Sequence, residues 1–165
     1  MLSVAASPGA LMQPSEQDLG SADDAEFDLF VSSSRMAGFC LKAKSRCARA
    51  GVLGRLARKR SRELFPSEAF PGNEADVFRH VYWHALMMIE GLPEQWVEEF
   101  GEQWEIWPGN RDKARIADLE NNAFGRRVGR SLANVGLGPG GAMQQAEVLI
   151  SNMVRSHGPD LNFDF

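Results

Sequence analysis

Between Asn73 and Gly91 lies a segment with almost no polar face. Val77, Phe78, Val81, Tyr82, Ala85, Leu86, Met88 and Ile89 cover most of the circumference of a helix. A helix so apolar must be surrounded by other elements, which makes it the spine of a helical bundle. Asn73 can accept a hydrogen bond from an opening backbone amide, and Asp76 follows three residues on in a box-like position. The spacing predicts a helix from Glu74 to about Glu90, stopped by Gly91 and Pro93.

The rest of the chain supplies partners for that spine. From Arg35 to Leu64, the residues Met36, Phe39, Cys40, Cys47, Val52, Leu53, Leu56 and Leu64 predict one long or broken amphipathic helix, with Gly51 and Gly54 marking the break. Pro93 opens a helix to about Trp107 that sets Trp96, Val97, Phe100 and Trp104 against Glu94, Glu98, Glu99 and Glu102. A further helix is predicted from Asp112 to about Asn134. The glycines from Gly136 to Gly141 predict an open connection, and a last helix should run from Ala142 to about Ser156.

No segment alternates like a strand for long. The fold class is therefore all-α, a single-domain bundle of about five helices spanning residues 27–165, behind a flexible tail at residues 1–26 rich in turn formers. Phe27 to Val31 form a short apolar patch, and Ser32 to Ser34 a plausible helix cap. A chain of 165 residues with 44% hydrophobic content can bury one such core.

Composition removes several functions. No apolar run approaches the roughly 20 residues that cross a bilayer, since the longest, Val81 to Ile89, is interrupted by His84. The N-terminus lacks a basic start and a compact apolar block, so the expectation is a cytoplasmic protein or one exported without a cleavable signal peptide. Cys40 and Cys47 sit on one side of the predicted helix and read as a reduced intracellular pair.

A net charge of −4 argues against a general nucleic-acid binder. The charge is nevertheless uneven: no acidic residue occurs from Arg35 to Arg62, while Lys42, Lys44, Arg46, Arg49, Arg55, Arg58, Lys59, Arg60 and Arg62 are basic. The basic helix over residues 42–62 is a solvated face or a dock for an acidic protein or anionic surface, with nucleic acid the less favoured partner.

Two helices carry polar groups where a bundle core is expected. On the spine, Asp76, His80 and His84 follow steps of four and can turn toward a common point. Imidazoles and carboxylates on such spacing suit zinc or a similar divalent metal. On the helix from Asp112, the residues Asp118, Asn121, Asn122, Gly125 and Gly129 form a polar stripe that becomes a bare backbone groove. Buried amides and a carboxylate need hydrogen-bond partners, and Arg79 with His80 are suitable ones.

Three explanations stand open, one of them a purely ligand-binding cleft. In another, the cluster is a satisfied network that fixes helix register. Otherwise it is catalytic, with Asp118 or Glu105 as acid or base, His80 as base or ligand, and Asn121 and Asn122 orienting a substrate. Trp83 beside it is a core residue or the wall of a pocket.

The run Arg79-His80-Val81-Tyr82-Trp83, then Glu105, then Asp118-Leu119-Glu120-Asn121-Asn122-Ala123-Phe124-Gly125-Arg126 resembles an uncharacterised bacterial helical domain. Its signature is roughly R-H-x-Y-W, H-E and D-L-H-N-N-x-x-G-R. The likeness covers about residues 35 to 135, and it implies a module of secreted or toxin-like proteins. The chain departs where Trp104 replaces the histidine of H-E and Glu120 replaces the histidine of D-L-H-N-N. If those histidines bind metal in relatives, a site here is rebuilt around Glu120 and His84 or lost.

The leading expectation is a metal-assisted hydrolase, a bacterial toxin or effector acting on a phosphoester, lipid or cell-wall-type bond. Asp76, His80, His84, Asp118 and Glu120 are the candidate ligands, and Glu105 the candidate general base. The alternative is a noncatalytic interaction module that uses the basic helix.

Overall fold

A computed structural model describes residues 34–66, 73–106 and 112–158 of the chain. Among them are six helices and no strand: α1 (Ser34–Leu41), α2 (Lys44–Leu64), α3 (Glu74–Ile89), α4 (Glu94–Glu105), α5 (Asp112–Ala133) and α6 (Gly138–His157). The expected tail at residues 1–26, the patch Phe27 to Val31, and the serines Ser32 and Ser33 lie outside the described residues. None of the described helices is long and apolar enough to cross a membrane.

The spine is α3, which packs against α2, α4, α5 and α6. Asn73 caps it as its sequence position requires, the side-chain Oδ1 accepting from the Asp76 amide at 3.0 Å. Phe78, Val81, Trp83, Ala85, Leu86 and Met87 are all but inaccessible to water. Trp83 is a core residue. Its indole Nε1 donates to the Ala50 carbonyl at 2.8 Å, and its ring meets Trp104 edge-on at 4.8 Å.

The deepest contact is between α3 and α5. A Cβ built on Gly125 would lie 2.2 Å from the Val81 carbonyl oxygen, and one on Gly129 would lie 2.4 Å from that of Ala85. The two glycines therefore let one helix backbone rest on the other, and this sets the distance across which Asp118 and Asn122 face α3.

The N-terminal helices depart from expectation in two linked ways. Gly51 and Gly54 lie buried within an unbroken α2, and the break falls earlier, at Lys42 and Ala43. Nothing in Leu41-Lys42-Ala43-Lys44 is a strong breaker, so composition did not reveal it. The turn brings Cys40 at the end of α1 against Cys47 in the opening of α2, with Cα atoms 5.7 Å apart, and the two are joined in a disulfide rather than held as the reduced pair expected. The bridge pins α1 where Phe39 packs on Trp96 and Phe100 of α4.

Closing a loop of sequence separation 7 is worth about 2 kcal/mol through the unfolded chain. Replacing both cysteines with alanine should lower the unfolding free energy by that amount in urea titrations, and the wild type in strong reductant should match the variant. Identical midpoints for oxidised wild type and variant would show that the bridge contributes nothing.

At the other end, α6 starts earlier than the glycine run suggests. Pro139 occupies its first turn, and Gly138 to Gly141 are helical rather than an open connection. Part of the basic charge on α2 is neutralised within the bundle: Arg49 Nε donates to Glu90 at 2.9 Å, and Arg60 Nε donates to Glu147 on α6 at 2.6 Å.

Candidate functional site

His80 is the centre of the polar cluster and is almost fully buried, at 3% exposure. Its Nε2 lies 3.6 Å from Asp76 Oδ1 and 3.6 Å from Asp118 Oδ1, and 2.7 Å from a terminal nitrogen of Arg79. A guanidinium can only donate, so Nε2 must accept and the imidazole hydrogen sits on Nδ1. That Nδ1–H donates to Asn122 Oδ1 at 3.2 Å. The orientation leaves the Asn122 amide nitrogen free to donate to Glu105 Oε1, at 3.3 Å.

The chain from Asn122 to Glu105 forms the buried side of the site. Glu105, itself 4% exposed, lies 3.5 Å from His80 Nδ1. The solvent side consists of Asp76, Asp118 and Arg79, whose side chains are 16%, 18% and 22% exposed. Arg79 also donates to Asp76 Oδ1, three residues back on the same helix.

Burial and then the Arg79 charge depress His80 to about 4, so it is neutral near pH 7. Glu105 moves the other way. Burial and the neighbouring Asp118 carboxylate raise it to about 8, which leaves it protonated at neutral pH and sharing a hydrogen bond with Asp118. Carboxyl groups this close cannot both ionise at low cost.

The candidates separate into three groups. Asp76, His80 and Asp118 each offer one ligand atom within 4.8 Å of the others, on two facing helices. Arg79, Asn122 and Glu105 surround them. His84 and Glu120 do not join: Glu120 is exposed, and His84, fully buried, turns its Nδ1–H to the His80 carbonyl at 3.1 Å. Asn121 is buried but lies about 100° round α5 from Asn122.

His84 has a feature that helical spacing did not reveal. Its Nε2 is buried without a hydrogen-bond partner, and a Cβ on Gly101 of α4 would lie 2.8 Å from it. Protonation there would bury an uncompensated charge, and its pKa falls to about 3, chiefly through burial.

These shifts set a stability profile. Both histidines are depressed from 6.5, so as pH falls below 6.5 the unfolded chain takes up protons that the fold excludes, and stability is lost down to about pH 4. Glu105 is raised from 4.5 to about 8, so its contribution is present at low pH and lost as pH rises through 8. Two protons oppose one below pH 6.5, and one acts alone above it. Stability from these groups should peak near pH 6.5, with limbs on the order of 1 kcal/mol per pH unit. Urea unfolding at pH 5, 6.5 and 8.5 would measure this, and a minimum at pH 6.5 would contradict it.

A helical bundle, of six helices among the described residues, with a buried histidine, a carboxylate pair and an amide between facing helices is the class that the fold and site define. The chain belongs to the family described as Domain of unknown function (DUF6973), whose family model matches residues 37–156. The match runs from within α1 almost to the end of α6 and contains every member of the cluster. No curated protein and no solved structure matches the chain.

Proposed function

We propose that the domain is a metal-assisted hydrolase whose site is formed by Asp76, His80 and Asp118. The supporting observation is their convergence, with His80 in the tautomer that aims its Nε2 lone pair at the two carboxylates. A buried histidine whose other nitrogen is held by an amide oxygen has the arrangement usual for a metal-ligating imidazole. Two carboxylates on the wetter side of the cluster and one imidazole at its centre suit a divalent ion that keeps open positions.

An ion held there would supply positive charge that activates water and polarises the scissile bond. Asp118 takes a proton from the attacking water as the water oxygen bonds to the electrophilic centre. The leaving oxygen departs with the electron pair of the broken bond and receives that proton from Asp118. Glu105, protonated and buried behind Asp118, is a positioning residue in this scheme rather than the general base expected from sequence. Asn122 fixes the imidazole.

Elemental analysis of the purified, tag-free protein tests the reading. Near-stoichiometric metal in the wild type, lost in both His80→Ala and Asp118→Asn with the fold intact by circular dichroism, is the expected result. No uptake by the wild type after supplementation with zinc, manganese or cobalt would sink it and leave a satisfied structural network.

A further inference from the structure

Arg79 stands where a metal ion would stand. One terminal nitrogen of its guanidinium donates both to Asp76 Oδ1 and to His80 Nε2, two of the three atoms that would ligate the ion. A cation and a guanidinium cannot share those lone pairs, because a guanidinium has no acceptor and like charges at this separation repel strongly. Loading the site therefore requires Arg79 to leave it. The side chain can do so, being flexible, partly exposed at 22%, and at the wetter edge of the cluster.

From this we infer that Arg79 is an exchangeable internal cation, which neutralises the metal-free site and, once displaced, becomes the anion-binding group that directs the enzyme to phosphate esters. The inference rests on the metal-assisted reading and deepens it. A bound dication offsets the charges of Asp76 and Asp118, so the displaced guanidinium loses its carboxylate partner while still tethered beside the reacting centre. A planar guanidinium of permanent charge suits the bidentate capture of phosphoryl oxygens. It is worth most where charge develops on those oxygens during transfer. A neutral carboxylic ester or glycoside carries no pair of anionic oxygens for such bidentate capture before reaction.

The exchange predicts opposite effects of one substitution on two ligands. In calorimetric titrations with cobalt(II) alone, Arg79→Gln should bind the ion at least tenfold more tightly than the wild type, because the competing cation is gone. With cobalt loaded, inorganic phosphate should bind the wild type at least tenfold more tightly than Arg79→Gln, with Arg79→Lys between them. A measurement on the unaltered protein guards against a folding defect in the variants: the Arg79 side-chain NMR resonances should shift on cobalt-free loading with zinc, and shift again on adding phosphate.

Equal cobalt affinity in wild type and Arg79→Gln would overturn the exchange, and equal phosphate affinity would overturn the anion-binding role, while both would leave the metal site standing. Failure of every variant and of the wild type to take up cobalt or zinc would overturn the metal reading and this inference with it.

Discussion

Gly125→Ala is expected to lower the unfolding free energy by about 3 kcal/mol or more, at the upper end of what one added methyl group does to a packed core. The new Cβ would stand 2.2 Å from the Val81 carbonyl oxygen, 2.9 Å from His84 Cβ and 3.0 Å from the Val81 carbonyl carbon. Two of those three atoms are backbone, so no rotamer change relieves the contact. Either α5 moves away from α3, opening voids along both helices, or the bundle fails to form. Gly38→Ala is the matched control. Gly38 is also helical but has nothing within 4 Å of a built Cβ, so alanine there should be neutral or stabilise by about 0.5 kcal/mol or more through helix propensity. Urea or thermal unfolding of the two variants would decide the matter. A loss below about 1 kcal/mol at Gly125 would mean that the helices do not rest backbone on backbone.

That contact also explains which parts of the molecule could be read from sequence. The spine was legible because its apolar residues run round the whole helix and Asn73 and Gly91 bracket it, both local signals. The stripe Asp118, Asn122, Gly125 and Gly129 was legible for the same reason, since residues three and four apart share a face whatever packs there. Helical spacing does not show how far a neighbour reaches across. His84 continues the Asp76 and His80 series on paper, yet its ring turns into the gap above Gly101, a gap defined by α4. Glu120 lies within the motif but on the outer side of α5.

The turn at Lys42 and Ala43 was hidden for a different cause. Its residues favour a helix, and the tertiary fold overrides that preference by seating α1 on Trp96 and Phe100 and linking Cys40 to Cys47. Glu105 could be named as a candidate from sequence, but its protonated state depends on burial in the assembled bundle and then on the charge of Asp118, which belongs to another helix.

The largest functional effect is expected at Asp118. If it both holds the ion and takes and returns the proton in hydrolysis, Asp118→Asn should reduce kcat/KM for a phosphate ester by at least about two to four orders of magnitude, the range removed with a positioned acid or base alone. The amide keeps the size of the carboxylate but neither its charge nor its basicity, so the fold should survive. Relief of the repulsion between Glu105 and Asp118 should even bring the Glu105 carboxyl down toward its usual range and flatten the alkaline limb of the stability profile. Glu120→Gln, two residues on but exposed, should change kcat/KM by less than about threefold, within what a surface charge contributes. Comparable losses in the two variants would point to a site gathered around the outer face of α5, contrary to the geometry. Loss confined to Asp118, together with a flatter alkaline limb, would tie the catalytic site and the stability profile to the same carboxyl pair.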